Sequence, residues 1–492
     1  MRISDPTIEK STENVPPQRA DARRGRALPA IVHRTPEEHA SAGKAARKRV
    51  PHEQHAGFDV PPKRDPIALL ESQAASRVSD LVPIRYGRMA VSPFTFYRGA
   101  ALVMAHDLAG GPTSGLTTQL CGDAHLSNFG LFASPERRLV FDINDFDETC
   151  PGPWEWDVKR LTASFAVACR EVGLPGKQRR AVVRNVARSY RESMAQFATM
   201  RDLDVWYVHA DIAEIRDQFS QQLKGSGRKK LDATVAKART RDSMQALTKL
   251  TRLVDGQRRI VSDPPLIVAA RDLLPDVENK VFEKWIHDLV RQYRRSLQSD
   301  RRHLIERFQA VDMARKVVGV GSVGTRCWII LMLGRDDNDP LFLQAKEAPP
   351  SVLTAVGCKS EYHNDGERVV AGQRLMQGAS DIFLGWQRTP GMDGIERDFY
   401  IRQLRDWKGS AELEGAKPEG LLAYGTLCGW TLARAHARSG DRIAISAYLG
   451  ETDGFDRAIG EFSEAYADQN ERDHRALLEA IDSGRLVAKA GL

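Results

Sequence analysis

The chain lacks the patterns that mark an exported, membrane-spanning or zinc-stapled protein. Its 492 residues include six cysteines, at positions 121, 150, 169, 327, 358 and 428, and none stands in a Cys-x-x-Cys pair. That spacing argues against a disulfide framework and a structural zinc site, and fits a reducing cytoplasm. Cys121, Asp123 and His125 could begin a zinc site, but no second His/Cys cluster completes one. No apolar run approaches the roughly 20 residues that cross a bilayer. The opening Met-Arg-Ile-Ser-Asp-Pro has no apolar leader core, so neither secretion nor membrane contact is expected. There is no internal repeat, and no Gly-x-Ser-x-Gly elbow to suggest a serine hydrolase.

What is present is a chain long enough for two or three domains, or one two-lobed domain with extensions. Hydrophobic residues make up 42% and charged residues 28%, enough for a sizeable core. The net charge of +7 could favour anionic ligands such as nucleotides, and is weak evidence for nucleic acid. Residues 1–64 are basic and Pro-rich with little apolar periodicity, and are expected to be a mostly disordered arm. From Asp65 the pattern changes: Asp65-Pro opens a helix as N-cap and first residue. Helical spacing follows over 94–108, 154–172 and 177–200, with a short strand at 116–120. Residues 204–310 read as mainly helical. Strands are expected at 327–333, 341–346 and 399–404, and helices at 367–376, 421–438 and 455–483.

Two constellations carry chemistry. Cys121-Gly-Asp-Ala-His-Leu-Ser-Asn128 places an Asp, a His and an Asn in one short turn, and the strand-like run after it ends in Asp142-Ile-Asn-Asp-Phe-Asp-Glu148. In phosphoryl transfer an Asp orients the acceptor hydroxyl, an Asn a few residues on holds Mg²⁺, and a second Asp at a strand end bridges the metal to phosphates. Mg²⁺ wants hard oxygen ligands, which Asn128 and Asp142, Asp145 and Asp147 offer. Asp123 and His125 are the catalytic candidates. The second constellation is Gly319-Val-Gly-Ser-Val-Gly324, whose backbone N–H groups could approach phosphate closely. A strand bearing Lys346 follows it, rather than the helix of a dinucleotide-binding turn. A Gly-rich hairpin and then a Lys inside an apolar strand is the kinase arrangement. Gly319, Gly321, Ser322 and Gly324 with Lys346 would hold phosphates, and a helix Glu would orient the Lys: Glu367, with Glu361 as alternative. Asp157 could brace the Asp123 turn through backbone N–H groups or simply cap its own helix. Arg85, Arg88 and Arg98 are phosphate contacts or surface ion pairs.

Gly122-Asp-Ala-His-Leu-Ser-Asn128 resembles the Gly-Asp-x-His-x-x-Asn loop of aminoglycoside phosphotransferases and choline kinases. Asp145-Phe-Asp-Glu, then Gly152-Pro and Asp157, resembles the Asp-Phe-Asp-Asp…Gly-Pro…Asp-Leu pattern of that superfamily. The resemblance implies Asp123 as catalytic base, Asn128 and Asp145 as Mg²⁺ ligands, with Asp142 a competitor, and Asp157 as brace. Over a longer span, Ile84-Arg-Tyr-Gly-Arg-Met, Phe96-Tyr-Arg-Gly-Ala and the runs 120–130, 141–160 and 399–405 resemble a bacterial family known as domain of unknown function 2252. In ordinary kinases the Gly-rich loop and Lys precede the catalytic loop; here they follow it. The expected fold is therefore α+β, a circularly permuted, two-lobed kinase-like fold with a large helical portion. Its catalytic lobe and a helical insert would occupy 65–310, the Gly-loop sheet 311–410, and helices completing the first lobe 411–492. The expected activity uses ATP and Mg²⁺ to phosphorylate a hydroxyl of a small molecule. Adenylyl transfer on the same fold, a non-catalytic nucleotide-binding scaffold and a nucleic-acid binder using the basic arm are the alternatives.

Overall fold

The structure is a computed structural model. It describes residues 33–215, 225–273, 279–391, 393–404, 406–410 and 415–491, and only the backbone at 225–228, 230, 231 and 279–283.

The arm read at 1–64 is ordered in its second half. Residues 1–32 lie outside the described residues, but Pro36–Arg49 is a helix. Thr35 and Glu38 form a capping box at its start; Glu37 and Glu38 lie in the first turn and Arg47, Lys48 and Arg49 in the last, matching the helix dipole. It packs on the helix Arg442–Leu449, and a Cβ on Gly43 would sit 2.0 Å from the Ala444 carbonyl. The buried side of this helix is Gly43 and Ala46, so the contact rests on close approach and leaves no apolar stripe in the sequence.

The architecture is mixed α+β. A helical body is built from Trp154–Glu171, Gly176–Thr199, Pro418–Ser439 and Gly454–Asp482, around a core that includes Phe165, Val186, Leu432 and Phe462. Asp65 caps the helix Pro66–Ala74 by accepting from the Ala68 N–H. The helical run at 94–108 is two helices, Pro93–Gly99 and Ala101–Ala109, meeting at Ala100. In the first half of the chain the strands are β1 (Thr117–Leu120), β2 (Phe129–Ala133), β3 (Leu139–Ile143), β4 (Cys150–Pro153) and β5 (Ala210–Asp211), with the Asp123 turn between β1 and β2. β1 pairs with β4, and β2, β3 and β5 join a strand from near the C-terminal region in a small antiparallel sheet.

The segment read as mainly helical, 204–310, also holds β6 (Thr251–Val254), β7 (Gln257–Ile260) and β8 (Ile267–Ala269). β8 joins β9 (Gln309–Lys316), β10 (Cys327–Leu333), β11 (Pro340–Glu347), β12 (Gly385–Pro390) and β13 (Glu396–Gln403) in a six-stranded antiparallel sheet. Its order is β12-β13-β11-β10-β9-β8, so the sheet begins well before residue 311. β14 (Gly409–Ser410) completes the small sheet beside β2.

A helix packs on each face of the large sheet. Ile329, Leu331 and Phe342 on one face lie against the helix Ser243–Leu250. Ile330, Met332 and Leu343 on the other lie against the helix Asn279–Tyr293. β11 is therefore buried on both faces, which is why it reads as a nearly continuous apolar run in which Lys346 stands out. Among the described residues no helix is long and apolar enough to cross a membrane.

Candidate active site

The turn after β1 is fixed by its backbone. Gly122 has φ +82°, and a Cβ there would lie 2.2 Å from the Glu148 carbonyl oxygen, so only glycine fits. Asp157 accepts from the N–H groups of Cys121 (2.7 Å) and Gly122 (3.0 Å). Behind it His436 Nε2 stands 3.3 Å away, and His436 Nδ1 meets the Tyr190 hydroxyl at 2.8 Å. Ser164 Oγ accepts from the Leu126 N–H, and the Tyr424 hydroxyl donates to the Leu126 carbonyl.

Asp123 projects from this turn. Its Oδ1 accepts from Arg160 Nε at 2.9 Å and Nη2 at 2.7 Å, while Oδ2 lies 3.7 Å from His125 Nε2. Burial raises the Asp123 pKa and Arg160 opposes the rise. His125 is buried and held neutral by its surroundings, with Arg98 and Arg160 adding to the effect. It backs Asp123 rather than opening to a cavity. Asn128 Nδ2 donates to the Asp123 carbonyl at 2.8 Å, which leaves its Oδ1 as an oxygen donor.

The acidic stretch after β3 divides by environment. Asp142 lies inside β3, whose five positions are all buried. It pairs with Arg434 at 2.5 Å and accepts from the Gly378 and Ile143 N–H groups. With its oxygens so engaged it is a structural anchor, and it drops out as a metal ligand. Asp145 and Asp147 lie beyond the strand and face Lys346. Lys346 Nζ bonds Asp147 Oδ2 and stands 3.9 Å from Asp145 Oδ2. The Tyr400 hydroxyl donates to Asp147 Oδ1 at 2.8 Å, and Ser322 Oγ to Oδ2 at 3.3 Å. Burial would raise Asp147, but Lys346 and Tyr400 outweigh it and leave its pKa below the usual carboxylate range. Asp145 is pushed up by burial and by Asp147. One ammonium thus serves two carboxylates, and Asp145 is the less compensated.

The Gly-rich turn between β9 and β10 has positive φ at Gly319 (66°) and Gly324 (92°). It is held from below: Arg88 donates to the Gly319 carbonyl at 2.5 Å and Arg77 to that of Val323. Arg85 is buried and donates to the Gly99 carbonyl, so it is no phosphate contact. Arg98 is close enough to Asp123 and Asp145 to feel both charges, and its buried Nε has no partner.

Between the turn and the strands lies a cavity of about 570 Å³, with Gly319, Ser322, Lys346, Arg402 and Asp145 on its wall. Lys237, Arg241, Lys249 and Lys408 also line it, so the lining is strongly cationic. Arg402 and burial together bring Lys408 down to about 7.

Glu367 is not at this site. Its N–H is capped by Asn364 Oδ1, and it lines a separate depression with Glu361 and Arg388. The helix Asp365–Met376 instead turns Arg368 inward, to the carbonyls of Asp147, Thr149 and Pro349. The carboxylates that orient Lys346 are Asp147 and Asp145. The sequence reading passed over Asp147 as a Lys partner, and missed Arg160, Tyr400 and Arg402 altogether. Tyr400 and Arg402 carry a legible signal, polar residues at period two in an apolar strand: Tyr400 lies opposite Lys346, and Arg402 opposite Gln344.

Fold and site together define an α+β protein with an acidic cluster at the edge of a cationic, Gly-loop-lined cavity. The chain belongs to the bacterial family called domain of unknown function 2252, described as uncharacterised proteins conserved in bacteria, whose model matches residues 77–480. No curated protein and no solved structure matches the chain.

Proposed function

We propose that the chain is a Mg²⁺- and ATP-dependent phosphotransferase acting on a hydroxyl of a small molecule, and that its fold is a circularly permuted kinase-like one. The observation that carries this reading is the meeting of Lys346 and Ser322 on one carboxylate, Asp147, across 199 and 175 residues of chain. Two motif sets that kinases place in the opposite order thereby meet at one acidic cluster, whose Asp145 lies on the wall of the Lys346 cavity. The permutation has its own support: Ser439 Oγ, at the end of the helix Pro418–Ser439, lies 2.6 Å from Thr118 Oγ1 on β1. A helix that would lead into the catalytic loop in an unpermuted chain ends beside that loop's strand.

In this reading the triphosphate lies against Lys346, Arg402 and the backbone N–H groups of the 319–324 turn. The acceptor hydroxyl approaches Asp123 Oδ2 and gives up its proton there, because Oδ1 is held by Arg160. A carboxyl raised by burial suits that role. Among the described residues no group of three or more His, Cys, Asp or Glu could hold a metal. The donors present fit Mg²⁺ nonetheless: Asp145 and Asn128 supply hard oxygens, Asp145 is under-compensated, and Mg²⁺ commonly takes only one or two protein oxygens beside phosphates and waters. When bound, the ion would neutralise phosphate charge.

The test is ³¹P NMR of the protein with ATP, Mg²⁺ and a bacterial small-molecule extract as acceptor source. ADP with a new phosphomonoester is the expected result. Asp123→Asn should slow it about 10²- to 10⁴-fold while nucleotide binding persists. An undiminished rate would remove Asp123 as base, pyrophosphate release would make the chain an adenylyl transferase, and no ATP consumption would contradict both.

A further inference from the structure

Seven Lys and Arg side chains line the Lys346 cavity of about 570 Å³ against one carboxylate, Asp145, so positive charge there is in large excess. Lys346 is answered by Asp147 and Asp145. Arg402 donates to the Asn144 carbonyl at 2.9 Å and Arg241 to the Lys408 carbonyl at 3.0 Å. Among the described residues no carboxylate pairs with Arg241, Lys249, Arg402 or Lys408. Lys249 is exposed and the other three are half-buried, so each keeps surface that a ligand can reach. Cations held this close disfavour one another's charged form. Arg402, with burial, brings Lys408 down to about 7. A bound anion would relieve that repulsion.

The fold fixes where these cations stand. Arg241 and Lys249 come from the stretch that ends in the helix Ser243–Leu250, and Lys408 directly precedes β14. The two stretches are tied together: beside the Arg241–Lys408 bond, the Arg241 carbonyl accepts from the Trp407 N–H at 2.8 Å. β14 pairs with β2, the strand that follows the Asp123 turn. Asp123 and Asp145 both act on the Arg98 guanidinium, so the base stands close to this wall.

In the phosphotransferase reading the triphosphate takes Lys346, Arg402 and the 319–324 turn, and Mg²⁺ neutralises part of its charge. Arg241, Lys249 and Lys408 then remain for the acceptor. A cationic acceptor would be repelled, and a neutral one would leave the three charges unanswered. A phosphate brings more charge and more acceptor oxygens than a carboxylate, and Arg and Lys bind it well.

We propose that the acceptor is itself a phosphate monoester, a small hydroxylated molecule whose phosphate sits against Arg241, Lys249 and Lys408. This rests on the phosphotransferase reading and narrows its substrate. The acceptor's hydroxyl oxygen bonds to the γ-phosphorus, the bond from that phosphorus to the β-phosphate oxygen breaks, ADP leaves, and the proton passes to Asp123. The product is a bisphosphate.

The test is ADP release from Mg²⁺-ATP by the full chain, with a bacterial small-molecule extract split on an anion exchanger as acceptor. ADP should form with the retained fraction and not with the flow-through. It should cease once that fraction has been treated with a phosphatase and the phosphatase removed. In ³¹P NMR the product should carry two phosphomonoester resonances. Lys249→Gln and Lys408→Gln combined should raise the KM for the retained fraction about tenfold, with the KM for ATP as in the wild type. Lys249→Gln alone, at an exposed position, should shift it in the same direction. Activity with the flow-through, activity that survives the phosphatase, an acceptor KM indifferent to both variants, or a KM for ATP that rises equally would overturn the proposal and leave the phosphotransferase standing. No ADP from any fraction would remove the phosphotransferase reading, and this proposal with it.

Discussion

Glu148 illustrates at the residue scale how the acidic cluster stores pH sensitivity. It accepts from the Val352 N–H at 2.7 Å, and burial pushes its pKa up to about 7. The folded chain therefore keeps a proton that the unfolded chain releases above its ordinary value of 4.5. Glu148 favours folding most below that value, and its contribution is lost as pH rises towards 7. Glu148→Gln stays neutral throughout. In urea unfolding, the variant should gain on the wild type by on the order of 1 kcal/mol between pH 5 and pH 8, after discounting for partial exposure. A difference independent of pH would contradict the assignment. The Asp123 turn was legible as a unit because Gly, Asp, His and Asn stand within one short stretch of chain. The sealing of Asp142 was not: it depends on Arg434, 292 residues away.

At the scale of elements, sequence pattern located most strands and helices but misplaced what depends on phase or on small residues. Glu367 and Arg368 differ by one position, about 100° around a helix, and that turn exchanges an inward carboxylate for an inward guanidinium. The hairpin β6–β7 lay in a polar stretch, and its one signal, Asp255-Gly256 with both residues at positive φ, was overlooked. The helix Pro36–Arg49 hid because its contact face is Gly and Ala. The Asp123 turn is the converse case, since its glycine was visible and its reason is now clear. Gly122→Ala would meet both the positive φ and the Glu148 carbonyl. It should cost at least about 2 kcal/mol of stability, from left-handed strain of 1–2 kcal/mol plus a backbone clash. Chemical denaturation measures this directly, and a variant as stable as the wild type would show that the turn can relax.

The whole molecule brings together what the chain order separates. The six-stranded sheet lies between two excursions of the helical body, and its Lys346 reaches an acidic cluster contributed by a stretch 199 residues earlier. Local motifs could suggest that meeting, while the recruitment of β8 into the sheet and of Lys237, Arg241 and Lys249 to the cavity arises only from tertiary packing. The central claim is that this cavity holds ATP with Mg²⁺ at Asp145. The most direct measurement is thermal unfolding of the wild type and of Asp145→Asn, with and without ATP, in Mg²⁺ and in chelator. At about 100 times its dissociation constant the nucleotide should stabilise the wild type by about 2.7 kcal/mol, only when Mg²⁺ is present, and Asp145→Asn should lose that shift. Equal unfolding temperatures with and without millimolar Mg²⁺-ATP, or a shift that survives in Asp145→Asn, would contradict the account.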